Sequence, residues 1–132
     1  MNRRLFLFAL VLAPTAARAN EEKSAEKKKG GGPDYIQIPT LTATIMRRDG
    51  RRGVLTVEVG VDVPDRKLRE LAEASTPRLR AAYAQVVMTY GGQLGIGAVP
   101  NADYLSRELQ RQTDLVLGRP GAHFLLGTIL VN

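Results

Sequence analysis

The chain has 132 residues with 19 Lys+Arg against 13 Asp+Glu, a single histidine, and neither cysteine nor tryptophan. With 44% apolar and 24% charged residues it has the composition of one folded globular domain, not of a disordered or collagen-like chain. Zero cysteines exclude disulfides, thiolate metal sites and cysteine nucleophiles, and His123 alone gives no histidine metal cluster and a poor basis for a Ser-His hydrolase.

The N-terminus reads as an export signal. Arg3 and Arg4 form a short positive region, residues 5–13 an apolar run, and Ala17 and Ala19 a small-x-small cleavage site, so residues 1–19 are expected to be a signal peptide. The apolar run is about half of the ~20 residues a spanning helix needs, and Pro14 closes it. Arg3-Arg4-Leu5-Phe6-Leu7 is similar to the twin-arginine export motif, and the general secretory route fits as well; either gives a periplasmic location. Cleavage would remove Arg3, Arg4 and Arg18 and halve the formal charge of +6, which weakens a nucleic-acid reading. Residues 20–33 follow as a charged, glycine-ending linker with no aliphatic side chain larger than alanine, too polar to bury a core. Within it, Lys27, Lys28 and Lys29 read as solvated, with contact to anionic headgroups as the alternative.

The folded domain is expected over residues 34–132. Residues 35–45 alternate, with Leu41, Ala43 and Ile45 on one face and Thr40, Thr42 and Thr44 on the other, the pattern of a half-buried strand. Asp49-Gly50 signals a hairpin turn, and residues 54–63 resume the alternation with Leu55, Val57, Val59, Val61 and Val63 facing together. Pro64 ends that strand. Asp65 then caps a helical stretch with Leu68, Leu71, Ala72 and Ser75 inward and Arg66, Lys67, Arg69, Glu70 and Glu73 largely outward. Thr76-Pro77 caps a second segment or kinks the stretch, which continues through Leu79, Ala82, Tyr83, Val86, Val87 and Tyr90. Residues 91–97 read as a glycine loop, Asn101 opens another helix through Leu105, Leu109, Gln112 and Val116, and residues 118–121 stop it. Residues 122–131 read as a short buried strand lying beside or between the first two. The class is α+β: a single small domain, strand-strand-helix-helix-strand, with helices on one face of an antiparallel sheet.

This order, Tyr35 and Ile38-Pro39 before a threonine-rich strand, Pro77, Leu79 and Arg80 opening an amphipathic helix, Asn101 after a glycine loop, and Leu126, Thr128, Ile129, Leu130 and Val131 near the end together resemble the periplasmic domain of the flagellar basal-body-associated FliL family. The resemblance covers residues 34–132. It implies a stomatin-like fold that self-associates and a place beside the flagellar motor's stator units or basal body. In this chain a signal peptide would replace the family's transmembrane anchor.

No catalytic, cofactor-binding or metal-binding residue stands out. Residues 91–97 have neither dinucleotide-fingerprint spacing nor a phosphate-loop Lys-Ser/Thr, and His123 reads as a hydrogen-bonded structural imidazole. Glu70 and Glu73, among basic neighbours, read as surface ion pairs rather than a catalytic dyad. The densest charge is Arg47, Arg48, Arg51 and Arg52 at the hairpin tip, read as a solvated turn with a patch for an acidic partner or anionic headgroup as the alternative. Without aromatic residues nearby, single-stranded nucleic acid is not an expected ligand. The chain is thus expected to be a non-enzymatic, exported protein without cofactor that binds a protein partner or itself in cell motility. An anion- or lipid-headgroup-binding module, touching the membrane at most peripherally, is the alternative.

Overall fold

In the computed structural model, which describes residues 32–132, the two alternating stretches form a long antiparallel hairpin, β1 (Tyr35–Met46) and β2 (Arg52–Asp62). Its inward face is the one the alternation marks: Leu41, Ala43, Ile45, Leu55, Val57, Val59 and Val61 are buried, and Val63 just beyond β2 is buried with them. The alternation does not run unbroken. Ile38 pairs with Val59 and Leu41 with Val57, so Pro39 and Thr40 together stand opposite Glu58 in a bulge. Proline has no N–H to give a ladder and is tolerated where pairing is already interrupted, and the extra residue puts both Ile38 and Leu41 on the core face.

Helices α1 (Arg66–Ala74), α2 (Thr76–Gln93) and α3 (Ala102–Leu117) follow, and β3 (His123–Val131) closes the chain. The predicted helical stretch is divided one residue earlier than Thr76-Pro77 implies: Ser75 is both the C-cap of α1 and the N-cap of α2, and Pro77 lies in the first turn, where a missing N–H costs nothing. The predicted caps elsewhere are formed as read. Asp65 accepts from Leu68 N at 2.9 Å and Asn101 from Tyr104 N at 3.1 Å, while Gly118 takes the left-handed conformation that ends α3.

Packing corrects one inward and one outward assignment. Leu71 is 43% exposed, and Arg69, expected outside, turns inward. Its Nη1 donates to Asp34 Oδ1 at 2.6 Å and to the Val63 carbonyl at 3.0 Å, tying the start of β1 to the corner where β2 leaves the sheet. The short α1 packs on α2 and α3 rather than on the sheet, so only the narrow stripe of Leu68, Ala72 and Ser75 is covered. In α3 the buried residues are Leu105, Leu109, Thr113 and Leu117; Gln112 and Val116 lie at the margin.

The sheet order is β1-β2-β3, all antiparallel, with α2 over β1 and α3 over β3 on the same face. The closing strand therefore lies beside β2 and not between the two hairpin strands. It is also not buried: Phe124 is covered, whereas Leu125, Leu130 and Val131 are 42%, 49% and 46% exposed. A second bulge sets Gly127 and Thr128 opposite Glu58 on this side, at the same level as the bulge in β1. On the uncovered face the Tyr35 ring lies over Gly60, leaving no room there for a Cβ, and its hydroxyl donates to Gln37 Oε1. Partial burial and the Glu58 charge raise the Tyr35 pKa above the ordinary value. Under the sheet, Tyr83 is fully buried, meets Phe124 edge-on at 5.4 Å, and hydrogen-bonds Thr113. The chain described here is a small α+β domain with one core.

Candidate functional site

The sequence places four arginines around one turn, and the structure sorts them. Residues 47–51 form the turn: Gly50 N donates to the Arg47 carbonyl at 3.0 Å, and Arg47 N donates to the Arg51 carbonyl at 2.8 Å. Gly50 has φ +78°, a conformation glycine adopts without the Cβ penalty, and Asp49 Oδ1 accepts from Arg51 N at 3.0 Å. Asp49 also lies 3.9 Å from the Arg47 guanidinium, a half-exposed ion pair that contributes little.

Arg47 and Arg48 fold toward the helix side. The Arg47 stem lies across Gly53, and the Arg48 stem lies against Gly97 of the α2–α3 connection. Gly97, at φ +68°, both makes the turn of that connection and leaves space for the arginine. Between the two segments is an open cavity of about 520 Å³, within the range of small-ligand sites. Ile45, Leu94 and Val131 give it apolar walls, and Arg47, Arg48 and Asn132 are its polar side chains. Arg51 and Arg52 are exposed and lie outside this lining, so the four-residue patch divides into two pairs.

Two features of the site escape a reading of the sequence. Gly91, Gly92 and Gln93 are the last turn of α2 and not loop, so the connection begins at Leu94. That connection also carries Ile96 and Val99, 67% and 86% exposed, the two most exposed large apolar side chains of the described chain. The available signal was their position in a segment with no helical or strand period, which gives an apolar residue no face to bury.

The remaining candidates lie elsewhere. His123 sits at the first position of β3, exposed, opposite Asp62 in register, and makes no side-chain hydrogen bond among the described residues. The expected structural imidazole is corrected: at the end of an edge strand its ring meets solvent. Glu70 pairs with Arg66 at 3.4 Å across an exposed helix turn. No group of His, Cys, Asp or Glu suited to a metal ion occurs among the described residues, and none of their helices is long and apolar enough to cross a membrane. Arg3, Arg4, Ala17 and Ala19, the signal they compose, and the linker up to residue 31 lie outside the described residues. No protein-family model and no curated protein matches the chain.

Proposed function

We propose that this protein is a non-enzymatic, exported interaction domain that self-associates through β3 and serves the flagellar motor or cell envelope, as its resemblance to the FliL periplasmic domain implies. The observation that carries the reading is the closing strand. It is nine residues long, has no Lys, Arg, Asp, Glu or Pro, pairs with β2 alone, and leaves Leu125, Leu130 and Val131 exposed. Edge strands of monomers are ordinarily blunted by charges, prolines or covering loops. Both edges carry a bulge opposite Glu58, but β1 also has Pro39, which lacks an N–H to pair, whereas β3 has neither proline nor charge to oppose pairing with an antiparallel copy of itself. The chemistry of the candidate cavity supports a binding role, because its side chains supply cations and apolar surface but no carboxylate, imidazole or nucleophile.

Light scattering after gel filtration, with chemical crosslinking, tests the assembly. The wild type is expected as a dimer or larger species, and Leu125→Lys with Leu130→Lys as a folded monomer. A wild type that stays monomeric at high micromolar concentration refutes self-association, and normal swimming of a deletion strain refutes the flagellar role.

A further inference from the structure

Among the described residues, the hairpin-tip end brings four arginines beside Ile96 and Val99, the two most exposed large apolar side chains. We propose that this end docks on a bilayer rich in anionic phospholipid, with a headgroup phosphate held by Arg47 and Arg48 at the cavity mouth while Ile96 and Val99 enter the interface. The proposal does not depend on self-association, since β3 is not altered in its test.

Charge complementarity selects the partner. Residues 46–52 hold four arginines against the single Asp49, and among the described residues Arg48, Arg51 and Arg52 have no ion-pair partner. The far end of the sheet has no such surplus, since Asp34 pairs with Arg69, Asp65 with Arg119 and Glu70 with Arg66. The cluster of unpaired arginines at the tip is therefore the part that an anionic surface attracts. Free phosphate would use only the guanidinium groups and leave the apolar walls of Ile45, Leu94 and Val131 without a role. A bilayer supplies both chemistries, and guanidinium heads at the phosphate level with apolar side chains just beyond match the depth order of an interface. Arg48 lies against Gly97, which places the charged head and the loop bearing Ile96 and Val99 side by side.

All buried side chains of the core fall between Ile38 and Phe124, so a chain of residues 32–132 keeps the described core and omits the apolar run of residues 5–13, which would itself bind lipid. Sedimentation with vesicles of phosphatidylcholine, or of phosphatidylcholine with about one third phosphatidylglycerol, reads the partition. Binding is expected to the anionic vesicles alone and to weaken with salt. Each arginine near such a surface accounts for about a fivefold change in partition, so Arg47→Gln with Arg48→Gln should lower it roughly 25-fold. Ile96→Ser with Val99→Ser, which keeps every charge, should also reduce it severalfold. Thermal melts establish that both exposed-site variants stay folded. Equal partition to the two vesicle types, undiminished binding by either double variant, or titration of the Arg47–Arg48 region by inorganic phosphate without any binding to vesicles each overturns the proposal.

Discussion

The buried Tyr83–Thr113 pair offers a measurement in which the three outcomes differ in size for stated reasons. Thr113 Oγ1 donates its one proton to the Leu109 carbonyl at 2.7 Å, so the Tyr83 hydroxyl is the donor in the bond between the two side chains. Tyr83→Phe removes that donor, leaves the ring against Phe124, and should cost about 1 kcal/mol. Thr113→Val removes the acceptor and strands a phenolic O–H in a fully buried position, which carries the larger penalty of about 1–3 kcal/mol. Removing both polar groups leaves only apolar contact, so the double variant should lie within about 1 kcal/mol of the wild type rather than at the sum. Thermal unfolding followed by circular dichroism resolves these differences, since 1 kcal/mol moves the midpoint by about 4–8 °C in a domain of this size. If the double variant falls at the sum of the singles, or Thr113→Val is no worse than Tyr83→Phe, the assignment of donor and acceptor is wrong.

The same phenol predicts an alkaline limit. Burial, the largest cause, pushes its pKa from 10.0 up to about 12; a lowering by Thr113, which can donate only to the ionised phenolate, comes next, and the Asp114 charge adds the smallest raise. The folded state therefore holds the proton that the unfolded state releases: this stability is complete below pH 10 and is lost, up to roughly 3 kcal/mol, as pH rises to about 12. Urea midpoints compared at about pH 9 and about pH 11 should fall more for the wild type than for Tyr83→Phe, and parallel falls would refute it. At the start of α1, Asp65→Ala should cost about 1 kcal/mol while Asp65→Asn retains most of the cap. Arg119→Ala, which removes only the exposed 3.2 Å ion pair to Asp65, should change stability by less than about 0.5 kcal/mol; a larger loss would show that the ion pair, not the cap, is what Asp65 supplies.

The hairpin was legible because its signal is local. Four alternating apolar residues on β2, with Val63 just beyond it, determine which face is buried, and Pro64 and Asp65 mark where the strand yields to a helix. What period two could not show is the parity change in β1, since the bulge at Pro39 and Thr40 becomes visible only when Glu58 is set opposite both. The end of α2 was misread for a related reason. Glycine weakens a helix by only about 1 kcal/mol, and the packing of α2 on β1 carries the helix through Gly91 and Gly92 to Gln93. Of the site, the arginines were legible and their division was not. Arg47 and Arg48 are distinguished from Arg51 and Arg52 by Leu94, Gly97 and Val131, residues brought to the tip by pairings far apart in the chain.

The closing strand shows most clearly where composition misleads. A run such as residues 123–131, apolar on both faces, predicts a strand covered on both sides, and in a parallel or central position it would be. Here the inward side chains Phe124, Leu126 and Ile129 turn toward α3 and the core, while Leu125 and Leu130 occupy the face without helices. One sheet and three helices supply one cover, not two. The apolar residues that the sequence assigns to the core therefore fall into a half that stabilises this fold and a half that this chain alone leaves in water. Leu125→Lys with Leu130→Lys separates the two roles: it should leave the melting temperature of the monomeric domain nearly unchanged and abolish the larger species. A large loss of stability under conditions where the protein is monomeric would instead mean that these side chains belong to the core after all.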